Sequence, residues 1–460
     1  MSMQNKQHSV RNGTLKTASP RWKALGFTVV LVAQFYAMAA HALTLEESVA
    51  AAILIDPELK QTYSRMKSLE SDQDFSFGDY LPTVTLTAGA GAERSYYTSG
   101  NKIDDEAKKT EIALLLRQPI FSGLQTKNDV ARLGHEVSAE RLRLYSEAED
   151  VAVQVIEVYL ELLTATQVYE LSKRNQADHE KILEDVRTKV KNQLAARSDL
   201  AQIESRVANA RASTIAAYNS MIDLNSRFEL LVGQSPGDMI EPVANSMALP
   251  PTEADAVKMA KENHYAILSA LEDVRATDRE FAAAAGDYYP EVFLELGANQ
   301  DKYWDDGNGN ANTGKTNDTS VMLKMQWDLY NGGKNYARRD ASRWRHQESL
   351  QLKESTERDV VTQVYQTWSA YTYLDQQVEF LKSNVDNSAI AEQGYREQFR
   401  VGRRELLDVL IAKTDLFQAR KSYLETQSRH LAATYRLKRI VGQLMPALSI
   451  NFPEEWKEAE

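Results

Sequence analysis

Gly78-Asp79-Tyr80-Leu81-Pro82 recurs as Gly286-Asp287-Tyr288-Tyr289-Pro290, at an offset of 208. Phe121-Ser122-Gly123 recurs as Tyr330-Asn331-Gly332 at 209. Asp199, Arg211 and Val232-Gly233-Gln234 return at that same 209 as Asp408, Arg420 and Val441-Gly442-Gln443. One offset held across separated segments marks an internal repeat. The chain is two copies of one plan, and in each copy the proline marks a change of hydrophobic period.

Upstream of Pro82, residues 43–77 read as helix, with Glu46 and Glu47 at its start and an Ala/Leu/Ile face. Downstream, Val84, Leu86, Ala88 and Ala90 alternate with Thr83, Thr85, Thr87 and Gly89, the period of a strand. A polar stretch from Ser99 to Lys109 precedes a second strand, in which Ile112, Leu114 and Leu116 alternate with Glu111, Ala113 and Leu115. This predicts a β-hairpin at 82–121. The second copy predicts another at 290–330, from Val292, Leu294 and Leu296, a polar loop, and then Val321, Leu323, Met325, Trp327 and Leu329. Pro82, Pro290, Gly123 and Gly332 mark the strand–helix transitions. Lys324, Gln326 and Asp328 occupy the opposite face, and Tyr96, Tyr97, Tyr303 and Trp304 lie near strand ends. Apolar on one face, polar on the other and aromatic at the rim is the pattern of a membrane β-barrel. A single such hairpin also fits an amphipathic sheet on a soluble core; two matched hairpins favour the barrel.

The remainder is helix. No proline interrupts Leu124 to Leu194, and Val151, Val155, Val158 and Leu162 follow the spacing of a coiled-coil seam. About 70 residues make a rod of roughly 100 Å. The return from Asp199 to Val232 is half as long, and a helix from Glu253 to Ala285 makes up the difference after the Gly/Pro-containing stretch 233–251. In the second copy a helix from Asn335 to Phe399 is answered by one from Glu405 to Val441, with residues 43–77 supplying the missing piece. The expected division is a first repeat at 43–241 (helical hairpin 124–233), a second at 242–445 (helical hairpin 333–442) and a C-terminal tail at 446–460.

The 460 residues are 43% hydrophobic and contain no cysteine, so a large core is available without disulfides. Residues 1–42 read as a secretory signal peptide: basic residues Arg11, Lys16, Arg21 and Lys23, an apolar stretch to Ala40, and Ala40-His41-Ala42 as the cleavage site. Removing them takes the formal charge from −11 to −16, because they hold five Lys or Arg and no acid. An acidic balance of that size excludes nucleic acid as a natural partner. After Leu43 no run reaches the roughly 20 apolar residues of a membrane helix, so a membrane would be crossed by strands. Four strands cannot close a barrel, and open edges cannot face lipid. Two chains would give eight strands and a filled interior; three would give twelve and a conduit.

The residues resemble the TolC outer-membrane efflux family over essentially the whole mature chain. The likeness rests on Thr44-Leu45-Glu46-Glu47-Ser48-Val49 with Asp56-Pro57-Glu58-Leu59, the two Gly-Asp-Tyr-x-Pro motifs, Phe121-Ser122-Gly123 and Tyr330-Asn331-Gly332-Gly333, and Val401-Gly402 ahead of Leu407-Asp408-Val409-Leu410. The resemblance implies an α+β membrane protein in the outer membrane of a Gram-negative bacterium, extending into the periplasm. It implies a homotrimer, with a twelve-stranded barrel continued by a coiled-coil helical tunnel, docked through a periplasmic adaptor (membrane fusion) protein onto an inner-membrane transporter. The segment Asp178 to Arg187, with Glu149-Asp150-Val151-Ala152, is more similar to the type I secretion branch that includes LapE and AggA-like adhesin exporters. That branch implies an ABC transporter and a secreted protein cargo; the alternative is small-molecule efflux with a proton-driven pump.

Arg404 precedes Asp408 by four, a spacing that puts both on one helix face. The repeat sets Ser198 and Asp199 opposite Leu407 and Asp408. The resemblance implies a periplasmic constriction in which Asp408 is a ring carboxylate and Arg404, Asp199 and Ser198 are latch residues. It also implies that Val401, Gly402, Arg403 and Leu194 form the hairpin tips that meet the adaptor. Phe399 and Ile411 depart from the family's tyrosine and second acid. An ordinary solvated ion pair remains the plainer reading of Arg404 and Asp408.

Gly309 to Thr316 satisfies the phosphate-loop spacing, but polar residues precede it and a period-two strand follows, so nucleotide binding is rejected. The Asp306-x-Asn308-x-Asn310 run lacks the glycine and glutamate of a calcium loop. Seven scattered histidines and no cysteine point to no metal, cofactor or enzyme.

Overall fold

The computed structural model describes residues 43–97, 103–242, 249–305 and 314–457. The expected signal peptide and residues 309–313 of the Gly/Asn-rich loop lie outside these. Helix α1 (Leu45–Ile55) opens with a reciprocal cap: the Glu47 amide donates to the Thr44 hydroxyl, and the Thr44 amide donates to Glu47 Oε2 at 3.0 Å. The single helix expected over 43–77 breaks at Asp56. Pro57 has no amide to continue α1 and takes the first position of α2 (Pro57–Phe77), capped by the Asp56 carboxylate.

Strands β1 (Thr83–Tyr97) and β2 (Ile103–Ser122) follow, then helices α3 (Gln125–Lys191) and α4 (Arg197–Val232). The second copy contains α5 (Glu253–Asn263), α6 (Tyr265–Ala283), β3 (Glu291–Asp305), β4 (Gly314–Gln326), α7 (Lys334–Arg400) and α8 (Leu406–Ile440), closed by a short α9 (Leu444–Ala447). Here too an expected single helix is broken, at His264, whose Nδ1 caps α6 by accepting from the Ala266 amide at 3.2 Å. Each of α3 and α7 has 67 residues, a length of roughly 100 Å.

The four strands form one antiparallel sheet in the order β1-β2-β3-β4. Register sets Val84 against Leu116, Leu116 against Leu296 and Leu296 against Val321, an apolar row across the whole sheet. The opposite face aligns Gly89, Glu111, Asp301 and Thr316, and there Lys109 pairs with Glu111 at 3.2 Å. Two strand limits differ from expectation. Residues 103–110 are strand although polar, because β1 pairs their backbone throughout and β3 joins from Ala107 onward. The alternation predicted through Leu329 ends at Gln326, where Trp327 Nε1 donates to the Tyr288 carbonyl and the chain turns off through Gly332 and Gly333, both at positive φ.

Gly314, Lys315 and Thr316 lie in β4, paired with Tyr303, Lys302 and Asp301. A phosphate cradle would need a helix to begin there. Gly123 sits at φ +63°, and a Cβ on it would come within 2.5 Å of the Gly286 carbonyl oxygen. Glycine is therefore required twice over where β2 passes into α3.

Helix α3 is the spine, packed along α1, α2, α4, α6 and α8. Val155, Val158 and Leu162 of the expected seam are buried, but so are Ala148, Ala152, Ile156, Tyr159 and Leu160, because the helix is covered on more than one side. The fully buried Tyr159 hydroxyl shares its one proton between the carbonyls of Ile240 at 2.7 Å and Leu43 at 3.0 Å and accepts from the Ile240 amide, tying both ends of the first repeat. The C-terminal segment is core rather than loose tail: Leu444, Met445, Leu448 and Trp456 are buried, and Phe452 stacks on Tyr145 at 4.3 Å.

Beside this core lies a buried polar knot. Arg439 pairs with Asp150 at 2.6 Å, and Glu149 and His264 are each almost wholly buried. Burial pushes the Glu149 carboxyl up to about 8, with Arg439 opposing and Asp150 reinforcing. Burial, then Arg439, pushes His264 down to about 4. A raised carboxyl contributes stability that is present below the ordinary carboxylate range and lost as pH rises through its folded value. The depressed histidine contributes stability that is lost as pH falls toward about 4. Thermal melts of the detergent-solubilised protein, followed by circular dichroism, should therefore show Tm falling between about pH 6 and about pH 8.5, with the fall reduced in Glu149→Gln.

Candidate functional site

The two helical hairpins end in tips of one design. At the first, the Gln193 amide donates to the Val190 carbonyl and the Leu194 amide to Lys189 O at 2.7 Å. At the second, Gly402 donates to Phe399 O and Arg403 to Gln398 O at 2.9 Å. This is the paired hydrogen-bond pattern of a helix C-terminus that closes on a left-handed residue. That residue is Gly402 at φ +75° in one tip and Gln193 at φ +59° in the other. Gln193 carries a left-handed conformation costing about 1 kcal/mol that its glycine counterpart avoids. Leu194 and Val401 stand out into solvent on the two turns.

Arg404 is not on a helix face as its spacing implied, because α8 starts only at Leu406. It lies in the turn and folds back onto its own hairpin. Its Nε donates to Gln398 Oε1 at 3.1 Å, its Nη1 to Asp408 Oδ2 at 3.2 Å, and its guanidinium lies 4.4 Å from the Tyr395 ring centroid. Asp408 occupies the third position of α8, and Asp199 the third of α4, where its carboxylate accepts from the Ala196 amide at 3.4 Å. A carboxylate in the first turn suits the positive end of a helix dipole.

Within one chain Asp199 and Ser198 do not meet the Arg404–Asp408 pair. They line, with Leu194, Lys189, Phe399 and Leu407, a groove of about 730 Å³ between the tips. Phe399 packs beside the apolar cluster of Leu183, Val186, Ile203, Val207, Leu406 and Leu410, and Lys189 Nζ lies 4.9 Å from its ring. The tips are thus joined by apolar contacts that a hydroxyl would not improve.

A set of residues absent from the motif reading lies farther from the tips. Lys413 of α8 reaches Asp178 of α3 at 2.8 Å and Glu392 of α7 at 3.3 Å. His179 is buried beside them, with Nδ1 lacking a hydrogen-bond partner among the described residues. No local motif flagged them because they come from three helices remote in sequence.

A sheet with one apolar and one polar face, mounted on helical hairpins of roughly 100 Å, is the architecture of an outer-membrane duct subunit. A sequence model of the family described as Outer membrane efflux protein matches residues 49–234 and 256–443, and the chain belongs to that family. It is 24% identical over 372 residues to the outer membrane efflux protein BepC of Brucella suis, covering 79% of this chain and 78% of BepC. It is 20% identical over 402 residues to the outer membrane protein TolC of Vibrio cholerae, covering 85% and 88%. A membrane protein from Pseudomonas aeruginosa shares the fold at a TM-score of 0.75 and 18% identity, covering 86% of this chain and 90% of that one. The protein is an outer-membrane efflux channel component of TolC-like fold, extending into the periplasm.

Arg404, with three partners, should order its turn more than Arg403, whose side chain makes no ion pair or hydrogen bond among the described residues. Hydrogen exchange should show residues 398–408 exchanging several-fold faster in Arg404→Ala and nearly unchanged in Arg403→Ala.

Proposed function

We propose that three copies of this chain close a twelve-stranded barrel and a helical tunnel, and that the assembly is the passive exit duct of a type I protein secretion system. Its cargo would be a large secreted protein such as a surface adhesin. A periplasmic adaptor would join it to an inner-membrane ABC transporter that supplies the energy.

The observation that carries ring closure is a contact made once and left open once. Gly123 meets Gly286 inside the chain, whereas a Cβ on their repeat counterparts Gly332 and Gly78, which lie at the two open sheet edges, would meet nothing within 4 Å. Repeating the internal contact between protomers fills both. The same operation fixes a register. Leu114 faces Ala298 across the β2–β3 seam, so Leu323 of β4 should face Ala90 of β1 in the next protomer. Closure leaves no backbone group of the sheet edges unpaired in lipid.

In the assembled tube the tips would form the periplasmic constriction. Asp408 would supply a ring of carboxylates, Arg404, Asp199 and Ser198 would latch neighbouring hairpins, and Val401, Gly402, Arg403 and Leu194 would meet the adaptor. Support for protein cargo comes from the likeness of the 149–152 and 178–187 segments to adhesin exporters. The similarity to a protein named for efflux favours a second reading, small-molecule export with a proton-driven partner.

Because the chain has no cysteine, engineered pairs are unambiguous. Oxidation of the Ala90→Cys, Leu323→Cys double variant should yield covalently linked trimers in denaturing gels. The Ala90→Cys, Met325→Cys pair, displaced by one step on the same face, should cross-link far less. Equal cross-linking of both pairs, or of neither, would refute the register. Deleting the gene should strip a large protein from the cell surface without sensitising cells to drugs; the opposite outcome selects the second reading.

A further inference from the structure

The two hairpins of one chain touch chiefly along α3 and α8, which run antiparallel. Ion pairs pin this seam at both ends. Arg439 with Asp150 and Arg436 with Glu157 hold the sheet-proximal end, and Lys413 with Asp178 holds the tip side. Between these pins the seam opens into a groove of about 1100 Å³, lined by Glu161, Ser172, Ser213, Asp223, Lys421 and Arg429 among others. Among the described residues the tip halves of the hairpins are joined by the apolar tip cluster, by Lys189 over the Phe399 ring and by the Lys413–Asp178 pair.

Lys413 is set deep, with 13% of its side chain exposed, and Glu392 beside it has 7%. Arg396 of α7 lies 3.4 Å from the other Glu392 oxygen. A buried lysine between two carboxylates from two other helices binds all three together, and removing it leaves the buried Glu392 with only the half-exposed Arg396 as counter-charge. His179 completes the set. It is 3% exposed, adjacent in sequence to Asp178, and faces Lys413 of α8 and Arg206 of α4.

We propose that Lys413, Asp178, Glu392 and His179 form a clasp between the two helical hairpins of one protomer, which holds their tip halves together and which acid releases. This rests on reading the chain as a gated duct, but it concerns a seam inside the protomer and uses none of the residues assigned to the tips. The direction follows from linkage. Burial lowers the basicity of His179, Lys413 and Arg206 lower it further, and Asp178 opposes them. When the hairpins part, the ring meets water and regains its ordinary affinity for a proton. The state that binds the proton more tightly gains as pH falls, so acid favours the parted hairpins. Protonation in place would also set a second cation beside Lys413.

The absence of cysteine allows spin labels at Lys191→Cys and Arg400→Cys, one near each tip, in the full chain diluted with unlabelled chain. Pulsed electron-spin distance measurements should show a long-distance population that grows several-fold between about pH 7.5 and about pH 5. Lys413→Met should populate the long distance at both pH values. His179→Gln should hold the short distance at both, with His179→Asn as a second neutral substitute should the first fail to fold. An unchanged distribution across this range, or acid separation persisting in the folded histidine variants, overturns the clasp. The readout needs no transport. A protein that forms no conducting channel yet parts in acid sinks the duct reading and keeps the clasp, whereas a conducting channel whose distances ignore pH does the reverse.

Discussion

Unpaired backbone amides and carbonyls cannot remain in hydrocarbon, where each costs several kcal/mol. The sheet of this chain presents an apolar row from Val84 through Leu116 and Leu296 to Val321, which suits lipid, yet β1 and β4 each leave one edge unpaired. The apolar face demands a membrane, and the edges forbid the single chain from entering one. The proposed assembly resolves this conflict, and the internal repeat would supply its geometry. An edge built as a copy of an internal strand already matches the opposite edge.

The same duplication governs the helices. Two rods of 67 residues are each answered by shorter partners: α4 and α8, of 36 and 35 residues, near the tips, and α2 and α6, of 21 and 19, near the sheet. The junction between short partners is where chain must leave and re-enter, and there the core thickens around α1, α9 and the C-terminal Trp456. The glycine pair at the foot of the sheet, Gly123 against Gly286, sets how closely one repeat approaches the next. Adding a Cβ there would push sheet and rods apart together.

Much of this was legible because it is periodic. Strand alternation, the seam valines of α3, and Gly, Pro and Asp at element boundaries are local signals. Where the sequence misled, the decisive partner was distant. Residues 103–110 look like loop until β1 is seen to pair all of them and β3 those from Ala107 onward. The segment 446–460 looks like a tail until Tyr145 and the cluster around α1 receive Leu448, Phe452 and Trp456. Arg404 and Asp408 have helical spacing, but the helix starts between them, so their ion pair spans a turn. Lys413 and Glu392 belong to one copy and Asp178 to the other, and their meeting depends on how the two hairpins pack rather than on any motif.

That last case exposes a limit of the repeat itself. Carried through the 209 offset, Asp178 becomes Asn387, His179 becomes Ser388, Lys413 corresponds to Glu204 and Glu392 to Leu183. The clasp therefore has no counterpart at the seam that the repeat would generate between protomers. In the proposed trimer six hairpins would alternate around the tube, and six equal seams would give no reason for three to yield before the others. A charged, histidine-bearing seam inside each protomer, alternating with a differently built seam between protomers, breaks that equivalence. Motion is then channelled into the seam whose strength depends on protonation, while the duplicated strands and glycines that close the barrel stay fixed.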